Sequence, residues 1–194
     1  MQQLASLADP HRPSASPFDQ LFAGVPVRRL ERGACLLLAG APATQVFLVR
    51  LGKIRLVVPG EEPGLYAPAA VLGPGHLVGL AALRGRAATY HASAWALTCL
   101  EAWVLPPDEA LARLGADPAL LEAVAVACAR RLAADWALLR ARRLLRVEER
   151  IAAISPWIKA CAGEDTHLPC VTLAELVGAR RETVSRALCG TGRT

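Results

Sequence analysis

Glycine and proline divide this chain more sharply than any other feature. Across residues 119–157 the only helix breaker is Pro156, whereas Gly33, Gly40, Gly52, Gly60, Gly64, Gly73 and Gly75 punctuate the first half at short intervals. Between those glycines lie short apolar or alternating runs at residues 35–38, 46–49 and 54–58. Runs of that length between turn residues predict strands. Their even spacing, with no helical segments between, predicts an antiparallel barrel or roll and argues against βαβ units. This strand-rich part runs from Phe18 to about residue 107 and, with its margin, sets a domain at 18–116.

Residues 108–158 read as helix. Asp117-Pro118 offers an N-cap followed by proline at the first helical position, and the residues after it are mainly Ala, Leu, Arg and Glu. Leu121, Val124, Cys128, Leu132, Leu138 and Leu145 recur at helical steps. A helix that long outruns a small domain, so its apolar stripe calls for a partner helix, with Asp135 as a polar break in the seam. A dimerisation helix at 117–147 is therefore expected. Arginines 130, 131, 140, 142, 143, 146 and 150 outnumber the acids Asp135, Glu148 and Glu149. That excess suits a solvated face and phosphate contact equally well.

Composition narrows the class. Apolar residues make up 54 % of the chain and charged residues 20 %, which excludes a disordered polymer. The net charge of +5 permits an acidic partner without requiring one. Residues 1–17 have no apolar core and are expected to form a mobile tail. The uncharged stretch 63–83 is broken by too many glycines and prolines to span a bilayer, so a soluble cytoplasmic protein with no membrane partner is expected. Cys35, Cys99 and Cys128 lie in apolar runs and are expected in the core. Cys161, His167 and Cys170 lack a fourth ligand at a usual spacing, so no metal site is assigned. No nucleophile, base and orienting group converge, which argues against an enzyme.

The last region, residues 148–194, carries the most specific pattern. Leu173-Ala174 followed by Gly178 predicts a short helix, a close helix crossing and a turn. A second helix follows over 180–188, with Val184 and Leu188 facing inward. Arg181, Glu182, Ser185 and Arg186 lie on the opposite side near its N-terminus, where a recognition helix meets base edges, and with Arg180 and Thr183 they are the expected DNA-binding residues. Arginine matches the two acceptors of guanine, and glutamate accepts from the cytosine amino group.

ARRETVSRAL, preceded by LAELVG, resembles the recognition segment of the Crp/Fnr family of transcription regulators. LERGACLLLAGAPATQVFLVRLGKIRL and LGPGHLVGL are similar to that family's effector-domain roll, and ACARRLAADWALL resembles its dimerisation helix. The resemblance runs from about Val27 to Leu188. It implies an α+β chain: a jelly-roll-like antiparallel β-roll sensor, a long dimerisation helix and a C-terminal helix-turn-helix. The partners it implies are double-stranded DNA with a palindromic site, a second copy of the chain, and RNA polymerase. One local signal competes with its register: Thr172-x-x-Glu175 reads as a capping box starting the first helix at Leu173. The family register starts it near Pro169 and is preferred, because it also places Glu182 and Arg186.

The chain departs from the family at its effector site. Where cyclic-nucleotide-binding members carry a glutamate after the glycine of the second roll motif, Leu80 follows Gly79. Their Arg-Ser pair is matched to Ala88-Thr89, and their base-contacting helix residues to Asp135 and Trp136. A buried phosphate without a paired cation is costly, so cyclic AMP is not expected to bind. There is no cysteine before Cys35 to build the family's iron–sulfur site. Haem would have to use His76, His91 or Cys99, since the positions matching the carbon-monoxide sensor's ligands are Gly79 and Ala81. No cofactor is assigned. After Leu188 no apolar residue remains for a β-hairpin wing, so most of that element is expected to be lacking and the recognition helix short. The alternative reading is a ligand- or haem-sensing dimer with weakened DNA binding.

Overall fold

The computed structural model describes residues 16–60, 66–164 and 166–191. The expected N-terminal tail lies almost wholly outside them. Eight strands follow a turn segment whose Phe18, Leu21 and Phe22 are buried: β1 (Val27–Leu30), β2 (Cys35–Leu37), β3 (Val46–Leu51), β4 (Ile54–Pro59), β5 (Tyr66–Leu72), β6 (Leu77–Val78), β7 (Ser93–Ala96) and β8 (Leu100–Leu105). They form two four-stranded sheets, β1-β8-β3-β6 and β2-β7-β4-β5. Every pairing is antiparallel. This is the roll the glycine spacing predicts. Leu36, Ile54 and Leu72 from one sheet share a core with Phe47, Val49 and Leu100 from the other. Gly52 shows why its residue type is fixed. It sits at φ +84°, and a Cβ there would come within 2.0 Å of the Cys99 carbonyl oxygen.

The helical half breaks twice. Helix α1 (Pro107–Ala116) ends at Asp117, whose φ −134° and ψ 100° are the extended geometry a following proline favours. Helix α2 (Pro118–Ala141) then starts as expected. The Asp117 carboxylate accepts from the Ala119 amide at 2.9 Å, with Pro118 at the first helical position. It stops earlier than the sequence suggests. Arg143 and Leu144 donate to Arg140 and Ala141, tightening the last turn, and Arg146 is extended. Helix α3 (Val147–Ala162) follows. Nothing in Arg142-Arg143-Leu144-Leu145-Arg146 disfavours helix. The break is imposed from outside: Arg150 Nε donates to Leu144 O at 2.7 Å and Arg142 Nε to Leu176 O at 3.0 Å. Tertiary contacts override propensity here, and Leu145, expected in the dimer stripe, ends 92 % exposed in the turn.

Helix α4 (Cys170–Val177) begins after Pro169, so the resemblance gives the right register and the capping-box reading does not. Thr172 is buried inside it. Gly178, at φ +65°, closes α4 in the left-handed conformation. Helix α5 (Arg181–Thr191) continues through Gly190, further than expected from that glycine. Its inward face is Val184 and Ala187, one step away from the expected Val184–Leu188 pair; Leu188 is exposed.

A second core gathers Ile154 and Ile158 of α3, Leu173, Leu176 and Val177 of α4, and Val184 of α5. Leu138 of α2 and Val71 of β5 belong to the same cluster. This cluster joins residues from both sides of residue 148. Among the described residues no helix is long and apolar enough to cross a membrane. The cysteines depart from expectation, since Cys99 and Cys128 are exposed and Cys35 is only half-buried.

Candidate functional site

Three guanidinium groups, from β4, α3 and the turn after α2, converge on the C-terminal half of α4. Arg142, just beyond α2, donates to the carbonyls of Leu176 at 3.0 Å and Glu175 at 3.4 Å. Arg150 of α3 donates to those of Val177 at 3.1 Å and Gly178 at 3.2 Å. Arg55 of β4 reaches the Glu175 carboxylate at 2.6 Å. A helix end leaves its last carbonyls without helical partners and carries partial negative charge, so cations there satisfy both needs. The turn that launches α5 is thereby fixed from the roll, the end of α2 and α3 at once.

Past that turn, Arg180, Arg181, Glu182, Ser185 and Arg186 are all exposed and Thr183 is half-buried. Glu182, Ser185 and Arg186 point away from the buried Val184 and Ala187, with Arg181 at the flank, whereas Arg180 and Thr183 sit one turn before those two buried residues and on their side of the helix. Arg186 Nε makes a long 3.4 Å contact with the Glu182 carbonyl, one helical turn back.

On α2, Leu121, Leu132, Trp136 and Leu139 are exposed, together with Ala125 and Cys128 between them. They are spaced three or four residues apart, the pattern of a helix–helix seam. Val124 and Leu138, expected in that stripe, point instead into the protein's own cores. Asp135, expected to interrupt the seam, turns away from it and pairs with Arg131 at 3.0 Å.

The residues matched to an effector pocket come together only in part: Gly79 and Leu80 line one cavity, and Leu80 and Asp135 line an adjoining one. A cavity of about 210 Å³ opens at the roll, lined by Gly79, Leu80, Leu56, Tyr90, His91 and Arg131 among others. Ala88 packs against the roll core, Thr89 bridges to Pro42, and neither lines this cavity. Asp135 lines a second, larger space, and Trp136 lies on the exposed seam. Tyr90 and His91 are the wall residues that sequence reasoning missed. The Tyr90 hydroxyl donates to the Gln45 carbonyl at 2.8 Å and accepts from the Gln45 amide at 3.0 Å. Gly79, at φ +80°, lies so close that a Cβ would meet the Gln45 carbonyl oxygen at 2.8 Å and the Tyr90 ring at 3.2 Å. His91 Nε2 is 2.6 Å from Arg84 Nη1 and accepts from it.

The larger space, about 920 Å³, lies between the roll, α2 and α3. His76, Arg131, Asp135, Trp157 and Cys161 line it. Burial pulls the His76 pKa below its ordinary value, an effect that Arg131 reinforces and hydrogen bonds to the Gly73 and Pro74 carbonyls oppose. Burial pushes the Cys161 thiol up; nearby Arg131 opposes that shift and Asp135 adds to it.

Residues 27–117 match the cyclic nucleotide-binding domain family. Among curated proteins none matches the chain in sequence. Solved structures share its architecture over most of its length. The c-di-GMP-responsive global regulator CLP of Xanthomonas campestris superimposes with a TM-score of 0.71 at 20 % identity, covering 91 % of this chain and 90 % of that one. FixK2 of Bradyrhizobium japonicum gives 0.74 at 16 %, covering 87 % and 84 %. The catabolite activator protein of Thermus thermophilus gives 0.54 at 28 %, covering 91 % and 82 %.

Proposed function

From the premise that this chain carries a cyclic nucleotide-binding domain and the fold of Crp/Fnr family transcription regulators, we propose that it is itself a DNA-binding transcription regulator acting as a homodimer. The observation that carries the proposal is the exposed polar surface of α5, held by arginines on the preceding turn. Arg181, Glu182, Ser185 and Arg186 present guanidinium, carboxylate and hydroxyl groups near a helix N-terminus, the chemistry that reads base edges in a major groove. Helices α4 and α5, joined at Gly178, act as the helix-turn-helix.

The free α2 seam supports the dimer. It leaves Leu121, Leu132, Trp136 and Leu139 in water, and a second copy of the same helix buries them symmetrically. A symmetric dimer in turn reads a palindromic site. The division of labour is a roll that senses, α2 that dimerises, and the helices after residue 147 that read DNA. Selection of bound fragments from a genomic DNA pool, followed by footprinting, tests the proposal. A recovered palindromic consensus supports it. Retention no better than for random DNA, with the protein folded and dimeric, favours the ligand-sensing alternative.

A further inference from the structure

The 920 Å³ space is walled by Leu72, Leu77 and Leu80 from the roll, Val126 from α2 and Trp157 from α3. Its volume lies within the range of small-molecule pockets, and it adjoins the 210 Å³ cavity bearing Tyr90 and His91, with which it shares Leu72, Leu77, Leu80 and Arg131. Its polar groups leave no charge uncompensated. Arg131 and Asp135 are ion-paired at 3.0 Å. Burial keeps the His76 imidazole neutral and the Cys161 thiol protonated at pH 7. His76 Nδ1 is already engaged by the Gly73 carbonyl at 3.2 Å. The remaining charged lining residues, Glu122 and Arg130, are exposed and opposite in sign.

An ionised ligand entering this space would lose its hydration without gaining a counter-ion. An uncharged one would gain apolar contact on three sides and lose little. We propose that this cavity is a binding site for an uncharged, lipophilic small molecule with at most one or two hydrogen-bonding groups. The occupant touches the roll, α2 and α3 together, so it fastens α3 to the sensor. Its role as effector rests on the proposed regulatory function; binding itself does not.

A matched pair of fluorescent probes tests the site without DNA. N-phenyl-1-naphthylamine is uncharged, and 8-anilinonaphthalene-1-sulfonate has the same ring system with a sulfonate. The full chain should bind the uncharged probe saturably, one per protomer, at least tenfold more tightly than the sulfonate. Filling the space with Ala127→Phe, or separately with Ala160→Phe, should weaken that binding at least tenfold while melting stays cooperative. Equal or tighter binding of the sulfonate overturns the proposal, and so does uncharged-probe binding that neither folded variant alters. A haem absorbance band lost in His76→Ala also overturns it, because haem brings two carboxylates. Failure of DNA selection with these probe results intact would remove the regulatory role alone.

Discussion

Arg55 and Glu175 are 120 residues apart in sequence and 2.6 Å apart in space. Theirs is a side-chain ion pair between the roll and α4. Beside it, the Gly73 amide of the roll donates to the Cys161 carbonyl of α3 at 2.7 Å. Both side chains of the pair are roughly a third exposed, so solvent screens it and its worth to global stability is below about 1 kcal/mol. Its local effect is larger. Arg55→Ala should speed amide exchange across α4 and α5 while leaving the roll strands unchanged, and the exchanged pair Arg55→Glu with Glu175→Arg should restore slow exchange. Unaltered α4 exchange in Arg55→Ala would show that the pair is ornamental.

Arg186→Ala and Glu182→Ala should each cost about 1–3 kcal/mol of DNA affinity and relax sequence preference at one base pair per half-site. Competition titration against single-base variants of the selected site measures both quantities. If affinity and preference are unchanged in both variants, α5 is not the reading helix.

The seam makes a separate prediction. Leu121→Glu combined with Leu139→Glu places like charges on both partners of the proposed dimer. Light scattering should then report a monomer with an intact roll by circular dichroism. A dimer that persists locates the interface elsewhere.

Cyclic AMP should leave the melting temperature and DNA affinity unchanged at millimolar concentration. The small cavity presents Leu80, Tyr90 and His91, and its one arginine, Arg131, is paired with Asp135. A ligand present at a hundred times its dissociation constant would stabilise the fold by about 2.7 kcal/mol, a shift that thermal melting registers readily. Such a shift with cyclic AMP would refute this reading of the cavity.

His76 sets a pH dependence. Its folded pKa lies below the unfolded value near 6.5. Above that value the ring is neutral in both states and contributes no slope. As pH falls below it, the unfolded chain takes up the proton and the folded chain does not, so stability drops toward the folded pKa. Urea unfolding at pH 7.5 and 5.5 should show that loss, and His76→Gln should reduce it. An identical slope in the variant would assign the loss to other groups.

The roll, the Asp117-Pro118 helix start and the polar face of α5 were legible in the sequence because each rests on local chemistry. Turn glycines, a cap with a following proline, and a run of polar side chains at helical spacing need no distant partner. The break at residues 142–146 was hidden, because Arg142 and Arg150 reach carbonyls that only the folded chain brings near. The apolar stripe of α2 was half legible. Leucines at three- and four-residue steps identify a helix face, but Val124 and Leu138 are claimed by two different cores of the same protomer. The cavity lining at Tyr90 and His91 was not legible, since both lie in the irregular segment between the turn at residues 85–88 and β7, where no periodic pattern says which side chains face inward.

Val71 is a roll residue whose side chain completes the interior of the C-terminal helices, where it is 0 % exposed. The C-terminal helices are thus not a detachable cassette. Grafted onto another sensor, residues 148–194 would arrive with one wall of their interior missing, and any host would have to supply an apolar strand face in the same place. A lineage that reshuffled these parts would have to carry β5 along with the helices. Changes at Val71 are therefore constrained by the C-terminal helices as well as by the roll.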